Sequence, residues 1–499
     1  MSRTSRRFFL KSSLAAAGST VLGSRRPLRG QDVKRAPGPT TGVLGANERI
    51  GVAVAGLNSR GVAHLDMYTP MPNVRVVCIV DPDSRLFASR IKLVEEKGRN
   101  TPKAAYDIRR VLEDKDVDVV SVATPNHWHA LMTIWACQAG KDVYVEKPLS
   151  HNIHEGRIAV QTARKYNRIV QHGTQTRSNL WRAKTLALIA SGRLGKLLVS
   201  RGLCYKPGTP GEENTRSNIG FAPYKEPPAG FDFDLWLGPA PRQSYHENLV
   251  HYRWHWFWDF GNGDIGNQGV HEMDVARWAI PGATLPKSVI SFGGRFGPKD
   301  QAQTPNEQIA ICDYGETLLV FEVRGLPSAD YRGQDVGNIF HLEGGTICGG
   351  DFYPKGSTKP EPIPEMDAKL GPGGGEHFAN FIAAVRSRKV SDLNADVLEA
   401  HYSSALCHLA NMSYRLGEEV PFNPRTKAFG DNREAYEVLE RMEEHLAGEN
   451  GLKLDTMKYR LGRKLIIDAE NEKVVGDAEA NAMLSRDYRR PYMVPQRAV

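Results

Sequence analysis

The sequence is short of cysteine: six in 499 residues, with no two spaced as C-x-x-C and no cysteine–histidine cluster at zinc spacing. A thioredoxin-like redox motif and a structural zinc site are therefore excluded. Cys78, Cys137, Cys204, Cys312, Cys348 and Cys407 lie mostly among apolar neighbours and read as small buried hydrophobes. A long apolar run is also missing. Residues 12–23 are too short and too weakly apolar to cross a bilayer as a mature helix. There are no internal repeats and no nucleic-acid motif. Acid is absent from residues 1–30, which carry Arg3, Arg6, Arg7, Lys11, Arg25, Arg26 and Arg29. The net charge is +8, so 8 − 7 leaves +1 for the rest of the chain. The basic balance belongs to the N-terminal segment, and nucleic acid is not expected as a partner.

Hydrophobic content of 40% and charged content of 24% are ordinary for a globular chain, here long enough for two or three cores. Ser5-Arg6-Arg7-Phe8-Phe9-Leu10-Lys11 resembles a twin-arginine export signal, which implies a periplasmic or otherwise exported protein. Residues 31–47, with Pro27 just upstream and Pro37, Gly38 and Pro39 within, read as a linker.

From residue 48 the pattern is strand, turn, helix. Residues 49–55 form an apolar run that enters Gly56-Leu57-Asn58-Ser59-Arg60-Gly61 and then a helical stretch, 62–68. A glycine-rich turn between strand and helix is where a dinucleotide pyrophosphate sits. Asn58 replaces the middle glycine, and asparagine tolerates positive φ better than other side chains. The next strand, 74–80, ends in Asp81, placed to bond the ribose hydroxyls of NAD; Arg85 nearby would instead suit the phosphate of NADP. NAD is the expected cofactor.

Helices and buried strands then alternate through residue 171, giving a parallel, doubly wound sheet. Two strand ends carry polar groups: Thr124-Pro125-Asn126-His127-Trp128-His129 after residues 117–123, and Glu146-Lys147-Pro148 after residues 143–145. Polar residues at this edge face the ligand crevice. Further on, Gln175 and Arg177 precede a helix, and Tyr252-Arg253-Trp254-His255-Trp256-Phe257-Trp258 is dense in aromatics. A tryptophan plane can stack on the C–H face of a sugar while Arg253 and His255 bond its hydroxyls; plain core packing is the alternative. Gly261 to Asp274 follows, with Asn267 and with His271 opening a helix.

The glycine turn, the acid after the second strand, the T-P-N-x-x-H stretch and E-K-P-L together resemble the glucose–fructose oxidoreductase/inositol dehydrogenase (Gfo/Idh/MocA) family over residues 48 to about 420. The resemblance implies an α/β fold: an N-terminal Rossmann dinucleotide-binding domain (48–172), then an α/β substrate and oligomerisation domain (173–424) with a large, mostly antiparallel open sheet. Residues 425–499 form an extension outside that core. It implies homodimers or homotetramers assembled through the sheet, and a carbohydrate as substrate. It also implies Lys147 as the proton-accepting base beside His271, with Glu146 and Asn126 shaping the cofactor site. The segment resembles a D-x-G-x-H-x-x-D pattern whose first acid is Asn267 here, and an amide is no proton acceptor. Asp274 is expected to hold hydroxyls or His271. No metal is expected. The expected reaction is oxidation of a sugar, polyol or glycoside hydroxyl with a tightly held, recycled cofactor. The alternatives are glycoside hydrolysis through transient oxidation and elimination, and a non-catalytic sugar- or cofactor-binding role.

Overall fold

The computed structural model describes residues 49–207, 218–422 and 427–498. The export-signal motif and the linker expected at 31–47 lie outside the described residues.

The first sheet is parallel. β1 (Ile50–Ala55), β2 (Val74–Val80), β3 (Lys103–Ala105), β4 (Val119–Val122), β5 (Asp142–Val145) and β6 (Val170–His172) lie in the order β3-β2-β1-β4-β5-β6. β1, β4 and β5 are buried at every position, which is why they read as unbroken apolar runs. The connecting helices α1 (Arg60–Tyr68), α2 (Asn126–Gln138) and α3 (Ile153–Lys165) begin at the C-terminal edge, where the strands turn out of the sheet. α2 begins earlier than the residue 129 expected, because Pro125 supplies the extended residue at its start (φ −60°, ψ 154°). Asn152 caps α3 by accepting from the Glu155 amide at 2.9 Å.

The second sheet is mixed and mostly antiparallel. It is built from β7 (Leu197–Tyr205), β8 (Ser288–Gly294), β9 (Glu307–Asp313), β10 (Leu318–Arg324), β11 (Val336–Leu342), β12 (Gly345–Cys348), β13 (Asp351–Pro354), β14 (Glu361–Pro362), β15 (Glu418–Pro421) and β16 (Lys458–Leu461). Their order is β14-β13-β12-β11-β7-β10-β9-β8-β16-β15, and β7 runs parallel to β10. Alternation along the strands separates two cores. One face, with Val289, Ala310, Cys312, Leu319, Phe321 and Val323, packs on α4 (Gly269–Trp278). α5 (His377–Ser387) instead joins the Rossmann core through Phe378, Phe381 and Val385. α6 (Val397–Arg415) lies against α3, α4 and β8.

The other face was expected to be open to a second subunit. It is covered by the chain's own α7 (Arg433–Glu444), whose Ala435, Val438, Leu439 and Met442 pack on Phe292, Ile309, Ile311 and Val320. The physical reason lies on the sheet itself. Arg201 and Glu322, each 2% exposed at the side chain, stand on this face and pair with each other, and α7 supplies Glu434 to Arg201 and Arg441 to Glu322 at 2.7 Å. Buried charges of this kind need partners. All six cysteines are buried and unbridged.

Candidate functional site

Three neighbouring strands, β4, β5 and β6, end side by side, and the polar residues after them converge. Glu146 follows β5, is 5% exposed, and accepts from Arg60 Nε at 2.7 Å and Gln175 Nε2 at 3.3 Å. His64 Nε2 lies 3.2 Å from the same oxygen, while its Nδ1 faces Ser121 Oγ at 2.9 Å. Burial alone would raise the Glu146 pKa; the Arg60 charge and the His64 contact outweigh it and hold the carboxyl well below its usual range. Arg60 and His64 lie four residues apart on one face of α1, so the helix after the glycine turn is locked to the strand that carries Lys147.

The turn itself is closely packed. Gly56 has φ 85°, and a Cβ there would lie 2.6 Å from the Ala123 carbonyl atoms. A Cβ on Gly61 would lie 1.8 Å from the Gly56 carbonyl oxygen. The positive φ expected at Asn58 falls instead on Ser59 (φ 41°, ψ −96°), the residue before α1. Asp81, buried by the ends of β1 and β2, accepts from the Leu57 amide at 2.8 Å and the Asp83 amide at 2.9 Å, and burial pushes its carboxyl up to about 6. Arg85 is committed to Asp83 through Nε at 2.7 Å and Nη2 at 2.6 Å. After β4, Thr124 leaves a buried hydroxyl without a partner among the described residues, as does one Arg60 amino group. His129 sits between the Thr124 and Pro148 carbonyl oxygens at 2.7 and 2.6 Å, tying the two strand ends together. Asn126 Nδ2 donates to Asn262 Oδ1 of the second domain at 3.3 Å.

Lys147 Nζ donates to the backbone carbonyl of Asn267. The Asn267 amide donates in turn to the Tyr252 hydroxyl at 3.3 Å. His271, half-buried at the start of α4, is held well below its usual pKa, first by burial and then by the Lys147 charge, so it is neutral at pH 7. The structure thus gathers Glu146, Lys147, Asn267 and His271 at one edge.

The residues expected at the substrate divide differently. Gln175 serves Glu146 and the Tyr144 hydroxyl (2.9 Å). Arg177 and Asp274 hold each other in a buried ion pair, with contacts of 2.8 to 3.0 Å. Trp256 is fully buried with the Arg295 guanidinium 5.1 Å from its ring centre, and Trp254 is 9% exposed. Both join the aromatic core rather than present a plane to a ligand. His255 Nδ1 faces the Tyr252 carbonyl at 2.7 Å, and Arg253 braces Asn248 at 2.9 Å. The exposed aromatic of this run is Tyr252, at 47%. Sequence reasoning passed over Tyr252, His64, Lys206 and Glu272. Their signals were local: His64 stands four residues after Arg60, Lys206 ends β7, and Glu272 follows His271. Among the described residues no group of three His, Cys, Asp or Glu side chains is placed to hold a metal ion, and no helix is long and apolar enough to cross a membrane.

Residues 50–174 match the Gfo/Idh/MocA family profile described as an oxidoreductase family, NAD-binding Rossmann fold, and residues 217–290 match its C-terminal alpha/beta domain. A protein named glycosyl hydrolase family 109 protein 2, from Shewanella sp. (strain ANA-3), is 31% identical over 40% of this chain and 45% of its own length. A scyllo-inositol 2-dehydrogenase (NAD(+)) from Bacillus subtilis (strain 168) is 32% identical over 32% of this chain and 46% of its own. The chain thus spans about half the length of the curated relatives it matches. Among solved structures, the WlbA dehydrogenase from Bordetella pertussis, in complex with NADH and UDP-GlcNAcA, shares the fold at a TM-score of 0.52 and 17% identity, covering 75% of this chain and 99% of that one. An oxidoreductase domain protein from Kribbella flavida does so at 0.54 and 16%, covering 73% and 96%.

Proposed function

We propose that the chain, whose residues 50–174 and 217–290 match the two domain profiles of the Gfo/Idh/MocA oxidoreductase family, is an oxidoreductase that oxidises a hydroxyl of a sugar, polyol or glycoside with NAD. The observation that carries this reading is Lys147 at the C-terminal edge of β5, tethered to Asn267 and beside a neutral His271. The residues fit the cofactor. The turn at Gly56 leaves no room for a side chain, and the Thr124 hydroxyl and an Arg60 amino group are buried with hydrogen-bonding capacity to spare. Gly56, Ser59, Arg60, Thr124 and Asp81 would hold it. NAD rather than NADP is favoured by the acid Asp81 at the ribose position and by the commitment of the Arg85 guanidinium to Asp83. When bound, the nicotinamide supplies the hydride acceptor.

The protein's own part is proton handling and orientation. Lys147 Nζ takes the hydroxyl proton, which requires the neutral amine. The Asn267 carbonyl fixes where Nζ stands. His271, neutral at pH 7, orients a neighbouring hydroxyl, and the exposed Tyr252 ring offers a face to the sugar. The export motif favours a cofactor loaded before translocation and regenerated in place. Asn267 favours a second reading, glycoside cleavage by oxidation, elimination and re-reduction, in which no net proton need leave the site; the glycosyl hydrolase family 109 relatives support it.

The test uses purified full-length protein. Bound nicotinamide is read by absorbance and fluorescence, and a panel of sugars and nitrophenyl glycosides is scored for reduction and for aglycone release. Reduction without aglycone favours the first reading, and aglycone release without net reduction favours the second. Lys147→Ala should abolish either, and retained activity would refute the reading. Replacing Arg6 and Arg7 together by lysine should hold the protein in the cytoplasm.

A further inference from the structure

The C-terminal extension does more than cover the second sheet. Its last stretch, residues 485–498, crosses to the Rossmann domain, where Tyr492 and Val494 are buried in the core that holds Trp128 and Leu131. On the way Arg489 grips one segment of the second domain. Its Nε donates to the Gly238 carbonyl at 2.9 Å, and its Nη1 and Nη2 donate to the Asp234 carboxylate and the Asp234 carbonyl, both at 2.6 Å. The Arg489 amide donates to the Pro239 carbonyl at 3.2 Å.

That segment is fastened to both flanks of the glycine turn. At one end the Ser84 amide donates to the Gly230 carbonyl at 2.9 Å and the Asp232 amide to the Pro82 carbonyl at 2.8 Å, a short antiparallel bridge onto the chain just after Asp81. His251 adds a side-chain tie, its Nε2 facing Asp83 Oδ2 at 2.9 Å. At the other end the Trp236 carbonyl accepts from the Trp128 indole and from His127 Nε2, each at 3.0 Å, in the first turn of α2. Gly238 approaches so closely that a Cβ there would stand 2.2 Å from the Trp128 ring. Asp81 follows β2 and α2 follows β4, while β1, which runs into the glycine turn, lies between those strands. Two strand spacings are about 10 Å, and the five-residue helix Phe233–Leu237 is about 7.5 Å long. The segment therefore passes directly from one flank to the other, past the end of β1.

We infer that residues 228–251 clasp the adenosine half of NAD, and that Arg489 is the positioning residue by which the C-terminal extension keeps the clasp shut. The inference rests on the reading of this crevice as the NAD site. In such a site the adenosine ribose lies at the acid after the second strand and the pyrophosphate at the glycine turn. A segment joined to the chain on both sides of that turn bars the way out, and the cofactor leaves only when the segment lifts. The same opening admits the cofactor, so loosening the clasp speeds entry and release together. An ordinary affinity contact acts mainly on release. The clasp gives a physical means of holding a cofactor that is recycled rather than exchanged.

The experiment uses full-length protein and NADH. Release is timed by mixing the loaded protein with excess NAD and following the loss of bound NADH fluorescence. Entry is timed by stopped-flow mixing of the stripped protein with NADH. Arg489→Met should raise both rates about tenfold or more, from the loss of hydrogen bonds made by a charged donor. His251→Ala, at the opposite end of the segment, should also raise both, and it carries the test should Arg489→Met not fold. Arg463→Met is the control: Arg463 also lies in the extension and pairs with Asp477 and Glu479, each at 3.0 Å, without touching residues 228–251. It should change neither rate. Unchanged rates in both clasp variants, faster release with unchanged entry, or an equal rise with Arg463→Met would overturn the inference. A wild type that binds no NADH would sink the cofactor reading itself; NADH bound and released alike by wild type and both clasp variants would sink only the clasp.

Discussion

Replacing Arg177 by methionine should destabilise the protein by about 3 kcal/mol while leaving the chemistry at Lys147 in place. Arg177 follows β6, and Asp274 lies on α4 one turn after His271. Their side chains are 6% and 1% exposed, so the pair is out of water. Three contacts of 2.8 to 3.0 Å join them, and Arg177 also reaches Glu399 at 3.1 Å. Removing one member of a buried pair typically costs about 3–5 kcal/mol, because the other charge is left uncompensated. Asp274 keeps the Ser403 hydroxyl at 2.6 Å and the nearby Arg277 charge, and methionine preserves most of the volume, so the lower end applies. Equilibrium urea unfolding followed by tryptophan fluorescence measures the loss. In a double-mutant cycle, Arg177→Met with Asp274→Leu should regain at least half of it, since no buried charge then stands alone. A loss below about 1 kcal/mol, the level of exposed pairs, would refute the reasoning. So would unchanged stability with a large rise in sugar KM, which would return both residues to the substrate.

Ser59→Gly should raise stability by up to about 1 kcal/mol by relieving the positive φ, whereas Gly56→Ala should abolish NAD binding in calorimetry because of its 2.6 Å approach to Ala123. Burial opposes ionisation of Glu472, but Arg157 and His401 bring its pKa down to about 2. A carboxyl lowered on folding adds stability that is complete above its unfolded value of about 4.5 and fades as pH falls toward 2, about 3 kcal/mol at most. Glu472→Gln should therefore flatten the acid side of a Tm-against-pH profile. Leu439→Ala, in the buried face of α7, should cost about 2–4 kcal/mol and increase dye binding by the uncovered sheet face.

The parallel half of the fold was legible because its strands are buried on both faces and their apolar runs carry no competing pattern. β3 escaped notice because its residues are exposed or half-exposed at an edge and show no apolar alternation. β15, Glu418–Pro421, reads as a polar turn and becomes a strand only because Lys458–Leu461 pairs with it. The covering of the second sheet was equally hidden: the sequence pattern of residues 433–446 marks an acidic–basic helix, but the apolar and charged surface it needed lies on strands more than a hundred residues earlier. At the site, Lys147, Glu146 and His271 could be placed from strand ends and a helix start. The tie from Glu146 to Arg60 and His64 could not, since it joins residues 86 and 82 positions apart. The aromatic run shows the limit of composition most clearly. Nothing in Tyr252-Arg253-Trp254-His255-Trp256 states which rings face inward, and the packing left Tyr252, not a tryptophan, at the surface.

The central claim is that Lys147 is the base of an NAD-dependent reaction on a carbohydrate hydroxyl. It is tested most directly by mixing NAD-loaded wild type and Lys147→Ala with the sugar panel and following nicotinamide absorbance together with aglycone release. At least one sugar or glycoside should give a signal with wild type and none with Lys147→Ala, while both proteins bind NAD. An equal signal from both would contradict it.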